Sequence, residues 1–315
     1  MFKRHFNTVN TARTVQCCSP RLIVRQYEKR QLCAPDNCRK MGKEYTSAPL
    51  PFVGQKKRFA SEYRKVLNTI ENATVFVDLF GGSGLLSHIT KRQCPDARVI
   101  YNDYDNYRQR LEHIADTNLI LDKLRDVTNG LPRNKIIPAP EKERILSFIK
   151  QKEKELGFVD YITISSSLLF SMKYVLSWDG LAKETLYNNV RKMDYQADGY
   201  LDGLEIVSCD YRELFDLYKT RSDVVFLVDP PYLSTDVGTY NMCWGLSDYL
   251  DVLTILNGHR YVYFTSAKSS IIELCEWMGK NRYIGNPFAH SIRKEVNVQM
   301  NHNSRYTDIM FCKVA

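Results

Sequence analysis

The sequence contains no apolar run long enough to cross a membrane. A membrane-spanning helix needs about 20 consecutive apolar residues, and no stretch of this 315-residue chain approaches that length. Hydrophobic residues make up 44% of the chain and charged residues 25%, which is ordinary for a globular protein. We therefore predict a protein that is not embedded in a membrane and that works in the cytoplasm.

The sequence also lacks the spacing of a disulfide framework or of a metal site. Its nine cysteines are scattered, and the cluster Cys17, Cys18, Cys33 and Cys38 fits no zinc pattern. The histidines show no metal-ligand spacing either. Free thiols in a reducing compartment and the absence of a bound metal are the resulting predictions.

Acidic residues are scarce only near the start of the chain. The net charge is +8, and residues 1–50 hold ten lysines and arginines against three acidic residues. This bias predicts a basic, loosely ordered arm at 1–48, which suits a polyanion whose phosphates attract Lys and Arg. The alternatives are a solvated tail and a targeting peptide, the latter because residues 1–25 contain arginine but no acidic residue.

Alternating strand and helix patterns predict an α/β fold. The apolar run at 74–77 is followed by a glycine-rich turn at 81–84, a helical stretch and a second strand at 98–101. This is the order of a βαβ unit, so the sheet is at least partly parallel. Further strand patterns lie at 204–207, 224–228, 261–265 and 306–314.

The region at 107–203 has a different character. It contains long helical stretches, such as those at 105–124 and 141–156, and no strand alternation runs through it. We therefore predict one core domain formed by 49–106 and 204–315, with an inserted helical subdomain at 107–203.

The most informative motif is Asp229-Pro230-Pro231-Tyr232, which directly follows the apolar run 224–228. Because that run is continuous, it predicts a strand buried on both faces, and ligands bind at strand ends in open α/β sheets. The motif supplies a carboxylate, a main-chain carbonyl beside two prolines without N–H groups, and an aromatic ring. This set suits an amino group on a planar base, which needs two acceptors and a stacking surface. A plain strand terminator is the alternative.

A second candidate site is Asp78-Leu79-Phe80-Gly81-Gly82-Ser83-Gly84, at the end of the first predicted strand. Glycines allow the backbone to approach a ligand closely, and the following helix offers free N–H groups. Leu85 stands where a P-loop needs lysine, and Ser87 stands where a dinucleotide fingerprint has its third glycine. The acidic Asp78 suits a cationic cofactor without phosphate, and Asp103 at the end of the next strand is placed to hold a ribose diol.

These two motifs follow the block Pro51-Phe52-Val53-Gly54-Gln55-Lys56. In this order the chain resembles the Dam-type (D12 class) N6-adenine DNA methyltransferases over roughly residues 50–315. The resemblance implies a Rossmann-like class I methyltransferase sheet that uses S-adenosylmethionine, with 107–203 as an inserted, mainly helical target-recognition subdomain. It also implies a nucleoid-associated monomer that binds double-stranded DNA and flips out its target base. A cognate restriction endonuclease of a restriction-modification system is a candidate partner.

The resemblance further implies roles for single residues. Phe52 would contact the adenine of the cofactor and Lys56 its carboxylate. Asp229 and the Pro230 carbonyl would hold the target amine. Tyr232 would stack on the base that carries this amine. The candidate cofactor-binding residues are Phe52, Gly54, Lys56, Asp78, Phe80, Gly81, Gly82, Gly84, Asp103 and Asp210. For Asp210, which follows Cys209, a plain turn is the alternative.

Other chemistries compete with adenine-N6 methylation. Cytosine-C5 methylation needs a cysteine after a proline, and the only adjacent pair is Cys94-Pro95, in reverse order. Cytosine-N4 methylation of DNA and guanine-N2 methylation of ribosomal RNA use the same tetrapeptide and stay as alternatives. A DNA-binding module without catalysis is the alternative of a different class.

Basic residues of the inserted region are candidates for phosphate contacts, although most alternate with glutamates, as on a solvated helix. They are Lys142, Arg144, Lys150, Lys152, Lys154, Lys173, Arg191 and Lys192.

Overall fold

The structure is a computed structural model that describes residues 43–170, 173–232, 244–267, 269–280, 285–301 and 304–314. The predicted basic arm therefore lies outside the described residues up to position 42. The strands of the described part are β1 (Val75–Asp78), β2 (Arg98–Asn102), β3 (Glu205–Val207), β4 (Val224–Val228), β5 (Tyr261–Ser266), β6 (Ile292–Asn301) and β7 (Ser304–Lys313). They form one sheet in the order β3-β2-β1-β4-β5-β7-β6.

The sheet is mostly parallel. Strands β1 to β5 pair in parallel, whereas β7 runs antiparallel to both β5 and β6. The predicted Rossmann-like α/β sheet is confirmed. Every residue of β4 is buried, as the continuous apolar run at 224–228 led us to expect.

The strand β6 was not predicted from the sequence. It lies at the edge of the sheet and pairs only with β7. Its residues Arg293, Lys294 and Glu295 are exposed, and Lys294 interrupts the alternate apolar positions Ile292, Val296 and Val298. Polar edge strands protect a sheet from pairing with other chains, and this same polarity hides them from a search for apolar patterns.

Helices connect the strands. A short 3₁₀ turn at Lys57–Phe59 leads into the first of them. The α-helices of the described residues are α1 (Ala60–Leu67), α2 (Leu85–Gln93), α3 (Tyr107–Glu112), α4 (Ile114–Val127), α5 (Ala139–Leu156), α6 (Tyr161–Ser166), α7 (Trp178–Lys183), α8 (Tyr211–Tyr218), α9 (Leu246–Leu256) and α10 (Ile271–Lys280). The stretch predicted as one helix at 105–124 is two helices, because the backbone of His113 leaves the helical conformation. None of the helices described here combines the length and the hydropathy of a bilayer crossing.

The strand order changes direction between β1 and β4. Strands β2 and β3 lie on one side of this point, and β5, β7 and β6 on the other. Open α/β sheets bind ligands in the crevice at the carboxyl ends of the strands around such a point. Asn102 ties three of these ends together, because its Nδ2 donates to Leu79 O and to Cys209 O, both at 3.0 Å.

Residues 107–203 carry α3 to α7, and their described part contributes no strand to the sheet. These helices share a hydrophobic core that includes Ile120, Leu124, Ile145 and Ile164, and Leu50 from the preceding segment is part of it. The region therefore buries apolar surface away from the sheet, as a helical layer with its own core.

A buried ion pair fastens this helical region to the segment before β1. Arg110 on α3 donates from Nε to Asp160 Oδ1 at 3.0 Å, and the two side chains are only 7% and 1% exposed. The same guanidinium donates to Pro51 O at 2.8 Å and to Thr163 Oγ1 at 3.1 Å. These hydrogen bonds compensate the loss of water around the two charges.

Replacing Arg110 with methionine should destabilise the fold, because Asp160 would stay buried without its partner. Removal of one member of a buried ion pair costs about 3–5 kcal/mol, which urea unfolding can measure. The matched control is Arg108→Met on the same helix, where the pair with Glu112 is 55% and 53% exposed and should contribute less than about 1 kcal/mol. Equal losses in both variants would contradict a structural role for the buried pair.

Candidate active site

The carboxyl ends of β1 and β4 lie side by side. Asp78 pairs with Leu227 in the parallel register of the two strands, and Leu79 N donates to Leu227 O at 3.0 Å. Side chains alternate between the faces of a strand, so Asp78 and Asp229 both point to the face on which Leu227 packs against α1 and α2. The glycine turn and the proline motif thus meet at one edge of the sheet.

Lys56 joins the first sequence block to the proline motif. Its Nζ lies 2.6 Å from Asp229 Oδ2 and donates to Gly54 O at 2.7 Å. The side chains of Lys56 and Asp229 are 7% and 16% exposed. The ammonium also lies 5.2 Å from the centre of the Tyr232 ring. The structure therefore brings together Gly54, Lys56, Asp229 and Tyr232, and the contact of Lys56 with Asp229 is one that the sequence did not suggest.

Asp229 is a largely buried acceptor, and one of its carboxylate oxygens has no hydrogen-bond partner among the described residues. Burial raises the pKa of its carboxyl to about 6, and the Lys56 ammonium opposes this rise. Its Oδ1 is buried and has no hydrogen-bond partner among the described residues. Buried polar atoms in folded proteins are nearly always paired, so this oxygen is placed to accept a hydrogen bond from a ligand. The acceptor is half charged at about pH 6 and gains charge as the pH rises further.

The remaining residues of the motif shape the surroundings of Asp229. Pro230 is buried, whereas Pro231 and Tyr232 are partly exposed. Because neither proline has an N–H group, the backbone here offers acceptors only. The segment that follows, 233–243, lies outside the described residues.

Three positions of the turn after β1 favour glycine. A Cβ on Gly81 would lie 2.3 Å from the Tyr101 ring and 2.7 Å from Asn102 O. Gly82 and Gly84 have φ angles of +49° and +72°, which favour glycine. Gly84 precedes the first residue of α2, so the turn leads directly into the free N–H groups of that helix.

Phe52 covers this turn. A Cβ on Gly82 would lie 3.1 Å from the Phe52 ring, and the ring meets Tyr107 edge to face at 5.7 Å between centres. The first sequence block therefore packs on the glycine turn with Phe52 and on the proline motif with Lys56. A ligand bound by both motifs requires that the two motifs lie close together in this way.

Asp78 is completely buried beneath the turn. Its Oδ2 accepts from Ser87 Oγ at 2.7 Å, while Oδ1 has no hydrogen-bond partner among the described residues. Burial raises the pKa of Asp78 to about 7; the hydrogen bond from Ser87 opposes the rise and the negative charge of Asp229 adds to it. A cationic group nearby would favour the charged form of this carboxyl.

Asp103 follows β2 and holds the start of α3. Its carboxylate accepts from Tyr107 N at 2.6 Å, Arg108 N at 2.9 Å and Tyr101 OH at 3.1 Å. Burial raises the pKa of this group, against the hydrogen bonds from the two main-chain N–H groups. The carboxylate is thus fixed at the mouth of the crevice, next to β1, by the helix that it caps.

Asp210 caps α8, since its side chain accepts from Arg212 N at 2.8 Å. The next residue, Tyr211, belongs to an aromatic cluster with Phe80 and Trp244. Ring centres are 4.9 Å apart for Phe80 and Tyr211, 5.5 Å for Phe80 and Trp244, and 5.6 Å for Tyr211 and Trp244. The cluster joins the glycine turn of β1 to the helix that follows β3.

Sequence reasoning missed several residues of this edge. They are Ser87, Tyr211, Trp244 and Asp308. A signal existed for Ser87, which lies in the first turn of the helix after the glycines, and for Asp308, which shares strand parity with the buried Met310. Trp244 and Tyr211 are far apart in sequence, and no local pattern relates them.

The basic residues of the helical region are mostly engaged within it. Lys150 pairs with Glu153, Lys152 with Glu155 and Lys173 with Glu184. Lys142 donates to Glu184 O, and Arg191 stacks on Tyr195. For Lys150 and Lys152 the pairs lie within α5, the arrangement expected of a solvated helix face.

No cluster of metal ligands accompanies the site. Among the described residues, no group of three or more His, Cys, Asp or Glu side chains could hold a metal ion. In the same part of the chain Cys94, Cys209, Cys275 and Cys312 form no disulfide.

Comparison with known proteins places this site in an enzyme family. No family model matches the sequence. A Haemophilus influenzae protein, named "Putative methyltransferase", is 38% identical over 249 residues, which cover 76% of this chain and 82% of that protein. This extent of identity, on a seven-stranded Rossmann-like sheet with its crevice between β1 and β4, shows that the chain belongs to the same methyltransferase family.

Proposed function

We propose that this methyltransferase transfers the methyl group of S-adenosylmethionine to N6 of adenine in double-stranded DNA. The observation that carries the proposal is the buried, unpartnered Oδ1 of Asp229, next to an ammonium that favours the charged carboxylate. An exocyclic amine is the donor that such an acceptor suits. The aromatic Tyr232 and the acceptor-only Pro230 and Pro231 support the same ligand.

The residues at the crevice fit S-adenosylmethionine. When bound, this cofactor supplies an electrophilic methyl group on a sulfonium. The unpartnered Oδ1 of Asp78 suits a cationic ligand, and the glycine turn leaves backbone open to close approach. The residues that would hold the cofactor are Phe52, Gly54, Lys56, Asp78, Phe80, Gly81, Gly82, Gly84, Asp103 and Asp210.

Asp229 prepares the amine for attack. The adenine amine is a weak nucleophile because its lone pair is delocalised into the ring. Hydrogen bonds from its two N–H groups to Asp229 Oδ1 and to the Pro230 carbonyl favour a more tetrahedral nitrogen, whose lone pair is directed at the methyl carbon. With the cofactor bound, the new N–C bond would form as the S–C bond breaks and the sulfonium leaves as a neutral thioether, and the nitrogen would pass a proton to Asp229 Oδ1. Positioning and charge stabilisation supply the acceleration.

Tyr232 would hold the face of the target base. N6 cannot reach an active site while adenine stays in the duplex, so the nucleotide has to be flipped out. Stacking on an aromatic side chain contributes about 1–3 kcal/mol, which is similar to the few kcal/mol that flipping costs. We further propose that residues 107–203 contact the DNA beside the flipped base.

The product of the reaction tests this proposal. Purified protein is incubated with S-adenosylmethionine and, separately, with duplex DNA and ribosomal RNA, and digested nucleosides are identified by mass spectrometry. We expect N6-methyldeoxyadenosine from DNA. N4-methyldeoxycytidine, or N2-methylguanosine from RNA, would assign the same site to one of the two alternative amines and overturn the adenine proposal.

A further inference from the structure

Asp308 is a third acidic residue at the edge where Asp78 and Asp229 meet. It pairs with Ser266, the last residue of β5, in the antiparallel register with β7. Its strand neighbours Met310 and Cys312 pack in the core beneath α1 and α2. Because side chains alternate, Asp308 points to this same face, towards the segment that carries Lys56.

The carboxylate of Asp308 has one buried oxygen, Oδ1, that lacks a hydrogen-bond partner among the described residues. Burial raises the pKa of its carboxyl, whereas the charges of Lys56 and Arg58 lower it. Among the described residues, the other ionisable groups that act on it or respond to it are Asp229, whose own pKa it raises, and Tyr306 on the same strand. Lys56 thus lies in the field of three carboxylates, those of Asp78, Asp229 and Asp308, and forms its ion pair with Asp229.

We propose that Asp308 is a positioning residue for methyl transfer that acts through Lys56. Its negative charge draws the ammonium towards β7, so that Lys56 contacts Oδ2 of Asp229 alone and Oδ1 stays open for the target amine. This inference rests on the proposed function of Asp229 as the acceptor of that amine.

The physical reason is the balance of charge around one ammonium. In a poorly solvated site the attraction between unit charges reaches beyond direct contact. With a single carboxylate nearby, an ammonium gains most when both oxygens share it. With a second carboxylate on its far side, the ammonium is drawn away from the first and contacts only one of that carboxylate's oxygens.

We expect Asp308→Asn to lower kcat by about 10-fold, since small errors of position in an active site have effects of this order or larger. The acid limb of the pH-rate profile should move below the value of about 6 that holds for Asp229. Two effects lower the pKa of Asp229 in this variant. A negative charge near Asp229 is lost, and the Lys56 ammonium moves closer to the Asp229 carboxylate. Asp308→Glu, which retains the charge, should keep a higher kcat than Asp308→Asn.

A double-mutant cycle with Lys56→Met tests whether Asp308 acts through the lysine. We expect Asp308→Asn to have little further effect on kcat once Lys56 is gone. Additive losses would overturn the proposal and would indicate that Asp308 contacts the substrates itself. An unchanged kcat and pH profile in the single variant would overturn it as well.

Controls distinguish the effect of the Asp308 charge from misfolding and from an error in the proposed function. Glu295→Gln removes the same charge from the neighbouring strand, where Glu295 pairs with Arg293 at 2.7 Å and is about half exposed; its kcat should match the wild type. Melting temperatures establish that each variant is folded, and Asp308→Ser replaces Asp308→Asn in the cycle if the latter melts early. A wrong adenine assignment would show in the methylated product of the wild type, whereas a wrong role for Asp308 would show in the kinetics of its single variant and in the cycle.

Discussion

Replacing Asp229 with alanine is expected to abolish methyl transfer while cofactor binding survives. Removal of the carboxylate takes away the unpartnered Oδ1 that is placed to accept the amine. Loss of one preorganised polar group at a reacting centre costs about 100- to 1000-fold in kcat, and here the charge of the acceptor is lost too. Asp229→Asn keeps the shape of the side chain and should lose activity to a similar extent.

Transfer of a tritiated methyl group measures the rate, and calorimetry measures the affinity for S-adenosylmethionine. Both are needed because Asp229→Ala removes the ion-pair partner of Lys56. Of its two contacts, the ammonium then keeps the hydrogen bond to Gly54 O. Loss of the ion pair can affect folding. The matched control is Asp223→Asn at the opposite end of β4, where the carboxylate pairs with Arg221 at 2.7 Å. Activity retained in both Asp229 variants would remove this residue from the mechanism.

Replacing Lys56 with methionine is expected to move the acid limb of the pH-rate profile to higher pH. Burial raises the pKa of Asp229 to about 6 and the Lys56 ammonium opposes this rise, so without the lysine the pKa rises further. Catalysis needs the charged carboxylate, which exists above the pKa of the folded enzyme and is lost as the pH falls through it. A shift of one unit corresponds to about a tenfold loss of activity on the acid side.

This profile also distinguishes two roles for Lys56. If the lysine served only the carboxylate of the cofactor, as the family resemblance implies, Lys56→Met would weaken cofactor binding and leave the acid limb in place. We expect both a weaker affinity for the cofactor and a displaced limb, with a smaller change in DNA affinity. Lys57→Met is the control, since the neighbouring side chain is exposed and should alter neither. An unmoved limb would refute the role of the ion pair in keeping Asp229 charged.

Much of the fold followed from local patterns. The continuous apolar run at 224–228 predicted a doubly covered strand, and β4 is buried throughout. The strand, glycine turn and helix after Thr74 predicted the first βαβ unit, because each element has its own periodicity and turn chemistry. The edge strand β6 escaped prediction, since the charged run of Arg293, Lys294 and Glu295 interrupts its apolar alternation.

The candidate site was predictable in its parts and not in its contacts. Asp78, the glycines, Asp103 and Asp229 could be named because each stands at the end of a predicted strand, where α/β sheets bind ligands. The ion pair between Lys56 and Asp229 could not be predicted from the sequence. It depends on where the 3₁₀ turn before α1 lies relative to β4.

The sequence by itself determined the sheet type, the two loops that meet at its edge and the chemistry of the groups they carry. These properties are local, because apolar period, glycine, proline and carboxylate each act within a few residues. Only the tertiary structure decided how those groups share charge. Pairing across strands brings Asp229 and Asp308, separated by 79 positions in the sequence, to the same face around Lys56, and electrostatic coupling depends on distance in space rather than along the chain.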